Sequence, residues 1–236
     1  AEVLVLCDTN GGTMPWEIGE MTRVVKEQFP GVTIGIHCHN DSELAVANTL
    51  AAVNEGATHV QGTINGYGER CGNANLCSIV PDLELKMGRT CLPEGNLANL
   101  THVAWTVSEI ANMAPNNQAA YVGKSAFAHK GGMHVAAIRR NIDSYQHIDP
   151  AMVGNKMRVL VSDLSGRGNM LSKADEFGLD LSADEASTVV SRIKELEHEG
   201  FVFEGAEASV MMLMLRQRPD YVPPFELVDF MVVVEN

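Results

Sequence analysis

The feature that most constrains the fold is a unit that occurs three times in the first 90 residues. Each unit consists of a short apolar segment, a polar loop and a helical pattern, and the apolar segments are Val3–Leu6, Val32–His39 and His59–Ile64. Continuous apolar strands that alternate with helices are typical of a parallel sheet covered by helices. Three units cannot close a (β/α)₈ barrel, so a barrel fold would require about five further units before Ala1.

The loops that follow the three apolar segments are where functional residues are expected. They comprise Cys7–Gly12, Asn40–Ser42 and the glycine-rich stretch Asn65–Gly72. In barrels and doubly wound sheets, the loops after parallel strands form the binding or catalytic site. The sequence therefore predicts one site assembled from these three loops.

Composition excludes several classes of partner. The formal net charge of −13 repels phosphate backbones and anionic lipids, so neither nucleic acid nor a membrane surface is an expected partner. The apolar runs are much shorter than the roughly 20 residues that span a bilayer. Five cysteines without CxxC spacing indicate free thiols, and we expect a reducing, cytoplasmic location.

Two histidines at the end of the second strand form the strongest candidate metal site. His37 and His39 flank Cys38, so both imidazoles project from one side of the strand while the thiol projects from the other. This geometry suits two ligands on one ion, although polar residues at a strand end are the alternative interpretation. The following Asn40 and Asp41 could supply an acceptor that orients an imidazole.

Two further polar residues occupy equivalent positions after the other strands. Asn73 follows the glycine-rich loop and could contact a ligand, but Asn at a loop-to-helix junction is more often an N-cap. Thr9 could donate a hydrogen bond to a carboxylate, or it could be an ordinary turn residue.

Beyond Pro93 the pattern becomes mainly helical. A long amphipathic helix over Leu97–Ala111 ends before Pro115, and a Gly- and His-rich stretch follows. Three later helices are predicted over Leu171–Phe177, Ala183–His198 and Ala206–Gln217. The loop Ser165–Asn169 between these regions is predicted to be a hinge.

The three loops together resemble one enzyme family. The last three strand ends of the barrel in 2-isopropylmalate, homocitrate and citramalate synthases are similar to Leu6–Gly12, His37–Asp41 and Asn65–Asn73 of this chain. Phe127–His134 resembles the linker-subdomain motif of this family. The run Val159–Arg167 looks most like the citramalate synthase branch, as does a stretch from Glu195 to Ser209.

The resemblance implies an α/β fold: the C-terminal part of a TIM (β/α)₈ barrel followed by mostly helical linker subdomains. Residues 1–114 would be the last strand–helix units of the barrel, and residues 115–164 linker subdomain I. Residues 165–222 would form helical linker subdomain II. Residues 223–236 would begin a truncated C-terminal regulatory domain, and the stretch Phe225–Glu235 looks like the start of another strand or domain.

The resemblance also assigns roles to particular residues. It implies that His37 and His39 are metal ligands, with Asn73 as a further ligand or close neighbour of the ion. Thr9 would contact the carboxylate of the 2-oxo acid. His134 and Tyr145 would be catalytic residues of a subdomain that reaches the barrel of a neighbouring subunit, with His134 as a candidate for proton transfer. This implies a homodimer with subdomain exchange.

The implied reaction is the condensation of acetyl-CoA with pyruvate to give citramalate, assisted by Mn, Mg, Zn or Co. Alternatives within the family are 2-isopropylmalate and homocitrate synthases. Two alternatives of another kind are a carbon–carbon lyase on the same barrel and a non-catalytic fragment. Two parts that the family carries are missing here, an Asp-Arg-Glu stretch on the first barrel strand and a glutamate from an intermediate strand, so we expect this chain alone to be inactive.

Overall fold

The computed structural model describes residues 1–129, 137, 141, 144–162 and 164–234. The chain divides into two compact units. The first unit comprises Ala1–Ala128 with Gln146–Met157, and the second comprises His129–Tyr145 with Arg158–Asn236. Both strands and helices are present, so the fold is α/β as predicted.

The first unit contains a three-stranded parallel sheet, which confirms the predicted strand–helix units. Its strands are β1 (Val3–Asp8), β2 (Thr33–Cys38) and β3 (His59–Gln61), in that order. Helix α1 (Pro15–Gln28) connects the first two strands and α2 (Ala45–Asn54) connects the last two.

Strand β2 lies in the middle of the sheet, and its alternating side chains separate the core from the site. Ile34, Ile36 and Cys38 are at most 1% exposed and form the core with Ile18 of α1 and Ala45 of α2. Because side chains alternate along a strand, Gly35 and His37 face the other side of the sheet. The apolar face thus fixes the direction in which the histidine projects.

Downstream of β3 the first unit is helical. Helix α3 (Leu76–Pro81) continues into a π-helical turn over Asp82–Lys86, and a 3₁₀ turn at Asn96–Asn99 leads into α4 (Leu100–Ile110). The other 3₁₀ turns are Ile64–Gly66 and Pro150–Val153.

The helix after the glycine-rich loop begins at Leu76, because Asn75 caps it by accepting a hydrogen bond from the Cys77 N–H at 2.9 Å. Asn73 therefore is not needed as an N-cap.

The described residues of the second unit form α5 (Arg167–Glu176), α6 (Ala183–His198) and α7 (Glu207–Leu215). The short strand β5 (Arg158–Val159) precedes them, and β4 (Ala128–His129) lies where the chain passes from the first unit to the second. The loop predicted over Ser165–Asn169 is shorter than expected, because Gly166 is an extended N-cap and α5 begins at Arg167. Helix α6 has its predicted bounds and a capping box between Ser182 and Glu185. The side chains that these three helices contribute to the core are Met170, Ala174, Ala186, Val189, Ile193, Val210 and Met214.

Of the two alternatives for the apolar run near the C-terminus, a strand is not seen in its described residues. Residues 225–234 are neither helix nor strand, and their apolar side chains are exposed, with Val228 at 93% and Met231 at 85%. No helix among the described residues is long and apolar enough to span a membrane.

Candidate functional site

The end of β2 presents two imidazoles on one side of the sheet, as the sequence predicts. The ring centroids of His37 and His39 are 5.4 Å apart, with planes inclined at 66°. Cys38 between them is fully buried on the opposite side, and burial raises the pKa of its thiol to about 12. The thiol therefore stays protonated, and the two imidazoles are the groups available to an ion.

The glycine-rich loop brings Asn73 beside His39. These two residues pair in an isolated antiparallel bridge, and the Ala74 N–H donates to the Cys38 carbonyl at 3.0 Å. The loop closes through the Asn73 N–H and the Gly66 carbonyl at 3.0 Å. A Cβ at Gly72, whose φ is +92°, would overlap that same carbonyl oxygen. Only glycine permits this loop to place Asn73 where it lies.

Two polar atoms at this point lack hydrogen-bond partners within the described residues. His39 Nδ1 and Asn73 Oδ1 are both buried and unpaired. A buried polar atom without a partner costs about 1–3 kcal/mol, and such atoms are rare in folded proteins. An imidazole nitrogen and an amide oxygen are both common ligands of divalent cations, so the residues present fit a metal ion.

The three residues do not make a complete coordination set. Among the described residues, no group of three His, Cys, Asp or Glu side chains could hold an ion. Two imidazoles and one amide oxygen leave coordination positions for other ligands, which suits a catalytic centre rather than a closed structural one.

Neighbouring β3 supplies two residues that the sequence analysis missed. Gln61 Oε1 lies 3.1 Å from His37 Nδ1, and Gln61 Nε2 lies 3.2 Å from His59 Nε2. His59 has no paired histidine nearby in sequence, so it did not stand out as a candidate. The available signal was its two-residue spacing from Gln61, which places both side chains on one face of a strand.

An ion pair joins the three loops. Arg70 donates to both carboxylate oxygens of Asp41, at 2.7 and 2.9 Å, and to the Thr9 carbonyl at 2.7 Å. The Arg70 guanidinium holds the pKa of Asp41 below its ordinary value. Asp41 was expected to orient an imidazole, but its two oxygens are engaged by Arg70.

Thr9 is exposed and lines a pocket of about 740 Å³ at the ends of β1 and β2. Its neighbour Asp8 also lines the pocket, but the Asp8 carboxylate accepts hydrogen bonds from Thr13 Oγ1 at 2.8 Å and Asn48 Nδ2 at 3.3 Å. Asp8 thus fastens the first loop to α2, while Thr9 remains available to a ligand.

The remaining predicted site residues are Tyr145 and His134. Tyr145 belongs to the second unit, and its side chain is 49% exposed. His134 lies outside the described residues.

Two family models match the chain. The model described as HMGL-like matches residues 1–107, and the model described as homocitrate synthase post-HMGL domain-like matches residues 121–200. The (R)-citramalate synthase of Geobacter sulfurreducens is 53% identical, with 100% of this chain and 45% of that protein covered. The (R)-citramalate synthase of Aquifex aeolicus is 54% identical, with 92% and 41% covered.

The chain belongs to the 2-isopropylmalate, homocitrate and citramalate synthase family. Identity is lower to a 2-isopropylmalate synthase of Oceanobacillus iheyensis, at 34% over 98% of this chain and 46% of that protein, which supports the citramalate synthase branch. The chain spans less than half the length of these relatives. Among solved structures, the HMG-CoA lyase of Bacillus subtilis is 27% identical, with 48% of this chain and 39% of that chain covered and a TM-score of 0.43.

Proposed function

We propose that the chain is part of an acyltransferase that condenses acetyl-CoA with pyruvate to form citramalate. The observation that carries the proposal is the pair of unpartnered buried atoms, His39 Nδ1 and Asn73 Oδ1, next to His37 at the ends of parallel strands. The identity of 50–54% to several (R)-citramalate synthases supports the choice of pyruvate.

The proposal includes a domain organisation. Residues 1–114 are the last strand–helix units of a TIM barrel, and residues 115–164 and 165–222 are linker subdomains. Residues 223–236 begin a C-terminal regulatory domain. The parallel order β1–β2–β3 and the helical content of residues 165–222 are compatible with it.

In this proposal His37, His39 and Asn73 hold a divalent cation, which is Mn, Mg, Zn or Co. The ion supplies Lewis acidity toward the ketone of the 2-oxo acid. The Thr9 hydroxyl donates a hydrogen bond to the carboxylate of that acid. The Arg70–Asp41 pair, together with the hydrogen bond from Arg70 to the Thr9 carbonyl, keeps the loop of Thr9 close to the other two loops.

His134 and Tyr145 are the proposed groups for proton transfer. The unperturbed pKa of histidine lies near neutrality, which suits a residue that accepts and returns a proton. Both residues would act on the barrel of the neighbouring subunit in a homodimer. The 236 residues contain no Asp-Arg-Glu sequence, so the proposal assigns the activity to a longer chain.

The test is release of free CoA thiol from acetyl-CoA by a chain extended to the length of its relatives. Pyruvate, 2-oxoisovalerate and 2-oxoglutarate are offered in turn with Mn²⁺ or Mg²⁺. We expect metal-dependent release with pyruvate, loss of that release in His37→Ala, and retention in His102→Ala, an exposed histidine of α4.

Other results would redirect the proposal. A preference for 2-oxoisovalerate would indicate a 2-isopropylmalate synthase, and a preference for 2-oxoglutarate a homocitrate synthase. Absence of thiol release with all three acids would exclude the condensation and favour a lyase or a non-catalytic role.

A further inference from the structure

A chain of hydrogen bonds leads from His37 across β3. Cys7, His37 and Gln61 are partners in the sheet register, so their side chains lie side by side on one face. The Gln61 amide then contacts both His37 Nδ1 at 3.1 Å and His59 Nε2 at 3.2 Å. One amide therefore connects a proposed metal ligand to a second imidazole.

The position of the His59 ring is set by Gly35 on the neighbouring strand β2. Its register partner on β2 is Gly35, which leaves the space beside β3 open. A Cβ at Gly35 would lie 3.0 Å from both His59 Cδ2 and Val5 Cγ2. Because these contacts are tighter than ordinary van der Waals distances, the imidazole occupies the room that glycine provides.

The chemistry of an amide determines where the protons lie. Gln61 Nε2 can only donate and Oε1 can only accept. Donation to His59 Nε2 requires a lone pair on that nitrogen, and acceptance by Oε1 requires a proton on His37 Nδ1. A neutral imidazole carries one proton, so the lone pair of His37 is on Nε2.

We propose that Gln61, held by His59, is a positioning residue that fixes the Nδ1-protonated tautomer of His37 and presents its Nε2 lone pair to the cation. The inference rests on the proposed function, since it concerns the same metal centre. Partners of this kind fix both the ring orientation and the tautomer of a metal-bound histidine, and their loss typically weakens metal binding by about 10- to 100-fold.

The experiment uses the 236-residue chain and two readouts. Long-range ¹H–¹⁵N NMR at pH 8 identifies the tautomer of His37 without metal, and optical titration with Co²⁺ measures affinity. We expect the Nδ1–H tautomer in the unaltered chain. Gln61→Leu should lose this preference and bind Co²⁺ about 10- to 100-fold more weakly.

Three companion variants separate positioning from packing. Gln61→Glu keeps an acceptor for the Nδ1 proton, so it should retain both the tautomer and the affinity. His59→Phe keeps a ring over Gly35 but removes the amide's acceptor, and it should reduce the tautomer preference. Gln118→Leu, at an exposed loop glutamine, should change neither readout.

The outcomes separate this inference from the proposed function. An Nε2–H tautomer in the unaltered chain, or a Gln61→Leu variant with unchanged tautomer and Co²⁺ affinity, would overturn the inference alone. Failure of the unaltered chain to bind Co²⁺ would count against the proposed metal centre. The tautomer readout would still decide the role of Gln61 in that case.

Discussion

Each unit of the molecule contains a buried polar cluster, and the two clusters differ in whether their polar atoms have partners. Lys173 in the second unit is 1% exposed and forms ion pairs of 2.9 Å with both Glu176 and Glu207. Its ammonium also lies 5.2 Å from the centre of the Phe177 ring. In the first unit, His39 Nδ1 and Asn73 Oδ1 are buried with no partner within the described residues.

The difference separates a structural cluster from a candidate site. The ion pairs of Lys173 connect α5 with α7, so the burial of its charge is compensated inside the unit. At the end of β2, no described residue offers a hydrogen bond to the buried atoms His39 Nδ1 and Asn73 Oδ1, and a bound ligand would interact with them instead. Substitutions should therefore affect stability at Lys173 and binding at His39.

The largest effect is expected from Lys173→Ala. The change removes the buried partner of two carboxylates, and loss of one member of a buried ion pair typically costs about 3–5 kcal/mol. Because Glu176 and Glu207 are 33% and 48% exposed, water can solvate them, so we expect the lower end of this range. Hydrogen exchange of the α5 amides measures the loss.

Lys194→Ala, at an exposed lysine of α6, is the matched control and should cost less than about 0.5 kcal/mol. Equal exchange in the two variants would show that the pairing of Lys173 contributes nothing to the second unit.

His39→Leu should show the opposite pattern. It removes a ligand of the proposed centre, so Co²⁺ affinity should fall by more than about 100-fold, beyond the loss expected for an outer partner. The metal-free unfolding free energy should change by less than about 1 kcal/mol, because an apolar group replaces an unpaired polar atom. Titration with Co²⁺ and urea unfolding measure the two quantities, with His102→Leu as control. A large loss of metal-free stability would show that His39 is structural.

The sequence predicted the parts of this comparison that depend on local periodicity. Alternation along β2 was enough to place His37 and His39 on one face, and the 3.6-residue period gave the bounds of α6. The proximity of Asn73 to His39 could be proposed only through family resemblance. It depends on a glycine loop whose closure no periodicity encodes.

The contacts that the sequence did not predict are those between different strands and loops. The Gln61 amide reaches His37 because β3 pairs with β2 in one particular register. Asp41, which with Asn40 could have supplied an acceptor for an imidazole, pairs both carboxylate oxygens with Arg70, 29 residues later in the chain. Such contacts require knowledge of which segments are neighbours in space.

A smaller effect is expected at the Arg70–Asp41 pair. The pair lowers the pKa of Asp41, so its contribution is present above the unfolded-state value of about 4 and is lost as pH falls through the lower folded-state pKa. Arg70→Gln should therefore speed hydrogen exchange of the Ser42 and Gly72 amides at pH 7. The difference from the unaltered chain should shrink once Asp41 is protonated.

The control for Arg70 is Arg23→Gln, which breaks an exposed ion pair with Glu27 on α1. This variant should leave the exchange of the three site loops unchanged. If Arg70→Gln also leaves it unchanged at pH 7, the ion pair does not hold the loops together.

The smallest perturbation is labelling of the native thiols with iodoacetamide at pH 8. Cys38 and Cys77 are buried, and burial raises the pKa of both thiols, so they should stay unlabelled until the chain is unfolded in urea. Cys7, Cys71 and Cys91 are exposed and should react, with Cys91 slowed because its pKa is also raised. Mass spectrometry counts the labels.

Because all five cysteines lie in the first unit, the same labels report on that unit alone. In Lys173→Ala, α5 should exchange rapidly while Cys38 remains protected, since the lost ion pairs lie within the second unit. Labelling of Cys38 in that variant would show that the two units unfold together. The stability effect of Lys173 could then not be assigned to the second unit alone, and its comparison with His39 would fail.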